Sequence, residues 1–163
     1  KGMARALDNV VFVCDDAARL EDMFAPGEVD RLYINFCDPW PSKKHAKRRL
    51  TFERFLLSYR NFLAEDGAIE FKTDNRPLFD WSLEQFSAEG WTLSEVTNDL
   101  HADGVCGVMT DYEAKFHAQG VKINRLVATR TQETKTTAAG TPERLRNAAL
   151  ADAKGKQETK ICD

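Results

Sequence analysis

Short apolar runs alternate with helix-like segments along most of this chain, and this alternation limits the folds available to it. The runs of strand length lie at residues 10–14, 31–37, 68–72, 91–96 and 121–129. Helix signals, meaning helical apolar spacing, capping residues or an early proline, occur between them at residues 17–24, 51–64, 77–88 and 111–117. Alternating strands and helices predict an α/β fold with a mostly parallel sheet.

The apolar content is that of one globular domain, because hydrophobic residues make up 42% of 163 positions. We expect residues 1–130 to belong to a folded domain. Residues 131–163 contain almost no large apolar residue and are expected to form a polar, flexible tail. No apolar run has the length of a membrane helix, and no signal-peptide pattern opens the sequence. We therefore expect a cytoplasmic protein without a membrane partner.

The four cysteines are widely spaced, at Cys14, Cys37, Cys106 and Cys162. Neither a CxxC pair nor a Cys/His cluster with the spacing of metal ligands occurs in the sequence. We therefore expect reduced thiols and no bound metal.

A local basic segment lies within an acidic protein, whose formal net charge is -3 at pH 7. Between Asp38 and Glu53 there is no acidic residue, and five cations cluster around His45, namely Lys43, Lys44, Lys47, Arg48 and Arg49. Two interpretations stay open from these residues alone. The cluster is either a solvated charged face or a phosphate-binding patch.

The residues Asp38-Pro39-Trp40-Pro41 directly follow the apolar run at 31–37. Ligands of open α/β sheets bind in the crevice beyond the carboxyl ends of the strands, so this position favours an active site. The two prolines restrict the backbone on both sides of Trp40 and would present a carboxylate and an indole from a stiff turn. An ordinary Asp-Pro turn with a core tryptophan is the competing interpretation.

The longer segment Asp38-Pro39-Trp40-Pro41-Ser42-Lys43-Lys44-His45-Ala46-Lys47-Arg48-Arg49-Leu50 closely resembles the signature of the bacterial tRNA (guanine-N7)-methyltransferases. Three further segments resemble motifs of that family in the same order. They are Asn9-Val10 with Asp16-Ala17, Phe71-Lys72-Thr73-Asp74-Asn75, and Thr110-Asp111-Tyr112-Glu113 followed by Lys115-Phe116 and Gly120. The resemblance covers residues 9–130 and implies the C-terminal part of a Rossmann-like methyltransferase domain that binds S-adenosylmethionine.

The resemblance also implies roles for individual residues. Asp38 is expected to be catalytic and, together with Asp16, to contact S-adenosylmethionine. Contacts to the tRNA substrate are expected from the other motif residues, which are Ser42, Lys43, Lys44, His45, Lys47, Arg48, Arg49, Asp74, Thr110, Asp111, Tyr112 and Glu113. The family usually has lysine where this chain has Ser42, so that contact stays open. Helix capping is the competing role for Asp16, Asp74 and the Thr110-x-x-Glu113 pair.

The reaction implied by the resemblance is methylation of N7 of guanine 46, in the variable loop of tRNA, by a monomer or homodimer. Guanine N7 has an exposed lone pair, so its attack on a sulfonium methyl group needs no nucleophilic serine or cysteine and no prior proton removal. Alignment of the two atoms is the main requirement. Asp38 would favour the positive charge that develops on the purine, and the basic segment would seat the tRNA backbone.

Two parts of such a domain have no counterpart in this sequence. The nine glycines include no G-x-G cluster for the methionine end of the cofactor, and nothing before Asn9 could form the first two strands. We therefore expect a truncated sequence, in which the strands at 10–14 and 31–37 are separated by about 10 Å at roughly 4.8 Å per missing strand. Such a chain is expected to bind S-adenosylmethionine poorly.

Two other functions remain as alternatives. A nucleic-acid amino-methyltransferase would carry an acidic or amide residue, then two adjacent prolines and an aromatic residue, and the order here is different. A non-catalytic RNA-binding remnant would bind tRNA without binding the cofactor. The identity of the methylated purine atom tests the first alternative, and cofactor binding tests the second.

Overall fold

The computed structural model describes residues 9–131, so the predicted tail at 131–163 lies almost wholly outside the described residues and stays a prediction. The strands are β1 (Val29–Asn35), β2 (Leu63–Thr73), β3 (Trp91–Thr97) and β4 (Asn124–Arg130). The α-helices are α1 (Leu20–Met23), α2 (Glu53–Phe62), α3 (Arg76–Ala88) and α4 (Asp111–Ala118), and two 3-10 helices cover Ala17–Arg19 and Lys43–Arg48. Strands and helices alternate, which confirms the α/β class. None of the helices in the described range is long and apolar enough to span a membrane.

The four strands form one sheet with the order β1-β2-β4-β3. Strands β1 and β2 are parallel, with Leu32 opposite Ile69 and Ile34 opposite Phe71. Strand β4 runs antiparallel to both of its neighbours, β2 and β3. Strands β1, β2 and β3 therefore run in the same direction, as a mostly parallel sheet requires. Only β1 and β2 pair with each other in parallel, however, and the other two pairings are antiparallel. The reason is that the last strand returns between β2 and β3 instead of extending an edge.

One face of the sheet packs against α2 and α3 to form the hydrophobic core. Helix α2 is amphipathic, because Phe55, Leu56, Tyr59 and Phe62 recur at helical spacing and all four are buried. The sheet supplies alternate residues to this core, namely Leu32, Ile34, Ile69, Phe71, Leu126 and Ala128. The residues between them face the other side of the sheet, and there Tyr33 is exposed.

The largest shift of a predicted boundary lies at the junction of α2 and β2. The sequence predicts a helix over residues 51–64, but strand β2 already begins at Leu63. Val29 of β1 pairs with Leu63 of β2, whereas Arg31 pairs with Ala68. The register of β2 therefore shifts between these two pairs, and residues 64–67 form a bulge. A Cβ at Gly67 would lie 2.9 Å from Cγ of Leu63, so the tight bulge requires glycine at this position. The residues between the predicted helix at 51–64 and the predicted strand at 68–72 thus belong to the strand.

The predicted strand at residues 10–14 does not form in the structure, and this prediction was wrong. The segment makes no ladder with the four-stranded sheet. Its apolar side chains Val11, Phe12 and Val13 are 85%, 94% and 67% exposed. Without a neighbouring strand the backbone N–H and C=O groups have no ladder partners, so apolar sequence alone does not define a strand here.

Candidate active site

The turn that follows β1 holds two residues in an uncommon backbone conformation. Phe36 has a φ of 52° and Trp40 has a φ of 40°, in the left-handed region that non-glycine residues rarely adopt. Trp40 lies between Pro39 and Pro41, which further restrict the backbone. Such backbone strain persists only where the surrounding structure enforces it, and it concentrates at functional sites. The turn presents Asp38 as an exposed residue.

Arg49 holds this turn in place from the inside of the structure. Its Nε donates to the carbonyl oxygen of Pro39 at 3.0 Å, and its Nη2 donates to the carbonyl oxygen of Trp40 at 2.9 Å. The guanidinium also lies over the ring of Trp81, 4.3 Å from its centroid. With 9% of its surface exposed, Arg49 differs from the other four cations of its segment. Its hydrogen bonds fix the conformation of the Asp38 turn.

The remaining cations of the basic segment are exposed on the 3-10 helix Lys43–Arg48. Lys43, Lys44, Lys47 and Arg48 are all solvent-exposed, and no carboxylate within residues 9–131 pairs with them. The Arg48 guanidinium lies 4.8 Å from the ring centroid of Trp40. The His45 ring is edge-on to the same indole, with 5.9 Å between the ring centroids. Ser42 precedes the helix as an exposed residue. The segment is therefore a patch of available positive charge beside Asp38.

A second part of the site lies at the end of β2. Asn75, not Asp74, caps helix α3, because its side-chain oxygen accepts a hydrogen bond from the backbone N–H of Leu78 at 2.9 Å. The capping role considered for Asp74 is therefore excluded. Tyr112 is half-exposed, and its partial desolvation, followed by the charge of Asp74, raises its pKa. Tyr112 in turn packs on Phe36, with 4.7 Å between ring centroids. The ends of β1 and β2 and the first turn of α4 thus meet.

The capping box that begins α4 is present in full. Thr110 Oγ1 accepts from the backbone N–H of Glu113 at 3.1 Å, and the Thr110 N–H donates to the Glu113 carboxylate at 3.4 Å. The same carboxylate is completely buried and also accepts from Lys72 at 3.2 Å and His101 at 2.9 Å. Glu113 therefore holds the structure together beneath the site. Lys72 and His101 were missed as site residues, because no sequence spacing links them to Glu113.

Asp16 has the capping role that competed with its cofactor role. Its side chain accepts a hydrogen bond from the backbone N–H of Ala18 at 2.9 Å, at the start of the helix Ala17–Arg19. Asp16 is exposed, and no hydrogen bond or ion pair within the described residues joins it to Asp38. One of its carboxylate oxygens remains available, so its contact with a cofactor stays a prediction.

Cys37 adjoins the candidate site but has the properties of a structural thiol. Burial, and to a lesser extent the charge of Asp38, raises its pKa to about 11, so it stays protonated at neutral pH. In the part of the chain that the structure describes, no three His, Cys, Asp or Glu side chains are grouped as metal ligands. The site instead offers an exposed carboxylate at Asp38, aromatic faces and free cations.

The match to known proteins covers this whole arrangement. Residues 1–126 match the model of a protein family described as "Putative methyltransferase". The chain belongs to this methyltransferase family. The matched residues include the Asp38 turn, the basic segment and the first turn of α4. The observed α/β class agrees with the Rossmann-like methyltransferase fold that the sequence motifs implied.

Curated relatives similar to this methyltransferase family member share one more specific name. The chain is 54% identical over 128 residues to the tRNA (guanine-N(7)-)-methyltransferase of Lachnoclostridium phytofermentans and 52% identical over 123 residues to that of Streptococcus suis. The matches cover 77% and 75% of this chain, and 60% and 58% of the relatives. The chain thus spans about 60% of the length of the curated relatives it matches. The family named from the motifs is confirmed.

A solved methyltransferase structure resembles this methyltransferase family member only distantly. The precorrin-6y C5,15-methyltransferase of Geobacter metallireducens GS-15 has a TM-score of 0.45 and 12% sequence identity. That similarity covers 76% of this chain and 55% of the other. It is too distant to assign either fold or function, so the assignment rests on the sheet and on the family match.

Proposed function

We propose that the protein methylates N7 of a guanine in tRNA with S-adenosylmethionine as the methyl donor. The observation that carries the proposal is the juxtaposition of the Asp38 turn, the Phe36–Tyr112 aromatic pair and the exposed basic helix. The relatives whose printed name is tRNA (guanine-N(7)-)-methyltransferase support it. In its more specific form, the proposal is that the methylated base is guanine 46 of the variable loop.

The residues of the turn fit a cofactor that carries hydroxyl and amine groups. Asp38 is exposed, and no hydrogen bond within residues 9–131 occupies its carboxylate, so both oxygens can accept from such groups. Asp16 has one oxygen free for the same purpose. When bound, S-adenosylmethionine supplies a methyl group on a positive sulfur, and the lone pair of guanine N7 forms the new bond as sulfur keeps the old pair.

The chain's own residues would align and stabilise this reaction. Phe36 and Tyr112 present an aromatic pair on which a purine can stack, and such stacking contributes about 1–3 kcal/mol per base. The charge of Asp74 contributes to the raised pKa of Tyr112, so the two residues would act on the same bound base. The fixed carboxylate of Asp38 would favour the positive charge that the purine gains, without rearranging during the reaction. No proton needs to move at the attacking atom.

The exposed cations would seat the tRNA backbone beside the turn. Lys43, Lys44 and Lys47 have no carboxylate partner in the described part of the chain, so phosphate binding breaks no existing ion pair. Phosphate contacts release counterions, which makes binding dependent on salt. The stack of Arg48 on Trp40 links this surface to the rigid turn.

The decisive experiment uses a form of the protein with the full length of its curated relatives, called here the full-length form. It is given a labelled methyl donor and two tRNA transcripts, one with guanosine and one with 7-deazaguanosine, which lacks N7. Transfer to the first transcript alone supports the proposal. Equal transfer to both transcripts would indicate an amino-methyltransferase. Binding of tRNA without transfer to either transcript would indicate an RNA-binding remnant.

A further inference from the structure

His101 is a buried partner of Glu113, the carboxylate to which both His101 and Lys72 bond. Its side chain is 1% exposed, and it lies in the segment between β3 and α4. Its Nε2 lies 2.9 Å from one Glu113 oxygen, and Lys72 Nζ lies 3.2 Å from both oxygens. A buried carboxylate is stable only when such donors satisfy it. His101 is therefore one of the groups that keep Glu113 in place.

The second ring nitrogen of His101 decides which tautomer is present. The backbone N–H of Cys106 points to Nδ1 at 3.2 Å, so Nδ1 accepts and carries no proton. Nε2 then carries the proton and donates to Glu113. One neutral imidazole thus joins α4 to the loop at residues 102–108. The other titratable groups that face it are Lys72 across the carboxylate and His117, whose ring centroid is 4.8 Å away.

This connection reaches the candidate active site through the first turn of α4. Glu113 occupies the third position of that helix, and Tyr112 immediately precedes it. Tyr112 packs on Phe36 at the end of β1, next to the Asp38 turn. The loop residues 102–108 are exposed and supply little packing of their own. The position of Tyr112 therefore depends on the hydrogen bonds that fix Glu113.

We propose that His101 is a positioning residue for the methyl transfer, which fixes Tyr112 against Phe36 by donating a hydrogen bond to Glu113. This inference rests on the proposed function, because it assigns Tyr112 to the face that receives the guanine. His101 touches neither substrate nor cofactor and acts only through Glu113. Its second hydrogen bond, from Cys106, orders the loop and is separable from this role.

Two amide substitutions separate the two hydrogen bonds of His101. His101→Gln places an N–H donor near the position of Nε2 and can keep the bond to Glu113. His101→Asn places an acceptor near the position of Nδ1 and can keep the bond from Cys106. Each variant gives up one hydrogen bond, so a merely structural role would lower the melting temperature and the activity of both alike.

The full-length form and its two variants are compared in methyl transfer to tRNA. We expect His101→Gln to stay within about 3-fold of the unsubstituted kcat, and His101→Asn to lose about 10-fold to 100-fold, because a misplacement of about 1 Å has that effect on a reaction governed by alignment. The KM for S-adenosylmethionine should stay unchanged in both. Equal losses in the two variants would overturn the role of His101.

Amide hydrogen exchange tests the same arrangement without any activity. The Thr110 N–H, which donates to Glu113, should exchange faster in His101→Asn and remain protected in His101→Gln. Equal exchange in the two variants would again overturn the inference. Absence of transfer by the unsubstituted full-length form would instead overturn the proposed function, so the two failures are distinguishable.

Discussion

Two charged regions lie at the candidate site, and they differ in whether their charged groups are exposed to solvent or buried. In the basic segment, four of five cations are exposed and only Arg49 is buried. Around Glu113 the carboxylate, His101 and Lys72 have side-chain exposures of 0%, 1% and 13%. An exposed charge keeps its hydration, whereas a buried charge must be paired. The first region is therefore suited to bind an external polyanion, and the second to fix geometry.

The comparison shows that a run of like charges is not one functional unit. Arg48 and Arg49 are adjacent in sequence, yet Arg48 is exposed on the indole of Trp40 and Arg49 is buried beneath the turn. Arg49 bonds two carbonyl oxygens, which its planar fork of donors can reach together. Their different burial predicts that substitutions will affect binding at one residue and stability at the other.

The largest expected effect comes from breaking the buried region. Glu113→Ala would leave the Lys72 ammonium group and the His101 ring without their partner, and removal of one member of a buried pair costs about 3–5 kcal/mol. Urea unfolding of the variant measures this loss. The matched control is Glu84→Ala, an exposed carboxylate on α3, which should change stability by less than about 0.5 kcal/mol. Similar stabilities for the two variants would contradict a structural role for Glu113.

A smaller but purely functional effect is expected at the exposed carboxylate. Asp38→Ala in the full-length form should lower kcat by about 100-fold to 1,000-fold, the usual effect of removing a group that stabilises developing charge. Affinity for tRNA should stay near that of the unsubstituted protein, because the role proposed for Asp38 lies with the reacting atoms and not with the tRNA backbone. Asp66→Ala, an exposed carboxylate in the β2 bulge, is the control. Near-normal turnover of Asp38→Ala would remove this residue from the mechanism.

Local patterns predicted the elements of this fold better than its connections. The spacing of Phe55, Leu56 and Tyr59 defines α2, and the Thr110-x-x-Glu113 pattern defines the start of α4. Both depend on residues within one turn of each other. Pairing of the last strand between β2 and β3 depends on contacts between distant segments, which periodicity does not encode. The apolar segment at residues 10–14 shows the converse, since strand-like sequence forms no strand without a neighbour.

The residues of the candidate site also differ in whether a local sequence pattern predicts them. Family motifs named Asp38, the basic segment, Tyr112 and Glu113 because each lies in a recognisable local pattern. His101 stands outside any pattern, and its role follows only from the fold that brings it to Glu113. Burial separates Arg49 from its neighbours, and no feature of a run of cations reveals which side chain turns inward. Long-range packing therefore supplies what local sequence could not.

A moderate effect is expected when the exposed region loses its charge. Simultaneous substitution of Lys43, Lys44 and Lys47 by alanine should weaken tRNA binding and reduce the slope of log affinity against log salt by about 0.7–0.9 for each lost phosphate contact. The contrasting variant is Arg49→Ala. It should leave the salt slope unchanged and lower stability by about 1–3 kcal/mol, because two carbonyl groups lose their donor. Equal salt slopes in the triple variant and the unsubstituted protein would identify the segment as a solvated face.

The smallest expected effect tests whether Asp74 and Tyr112 face each other between the two regions. Partial desolvation of the half-exposed Tyr112, and then the charge of Asp74, raise the pKa of Tyr112 above the ordinary value of 10.0. Asp74→Asn removes the second cause, so the pKa should fall towards 10.0 but remain above it. Ultraviolet absorbance of tyrosinate during an alkaline titration measures the shift, and Tyr112→Phe assigns the signal.

The sign of the linked stability follows from the direction of this shift. Because the pKa of Tyr112 is higher in the folded state, the folded protein holds the phenolic proton more tightly than the unfolded chain does. The resulting stability is fully present below the unfolded pKa and is lost as the pH rises through the folded pKa. Asp74→Asn should therefore reduce the alkaline decline in stability, whereas superimposable titration curves would show that Asp74 lies too far from Tyr112 to share a substrate with it.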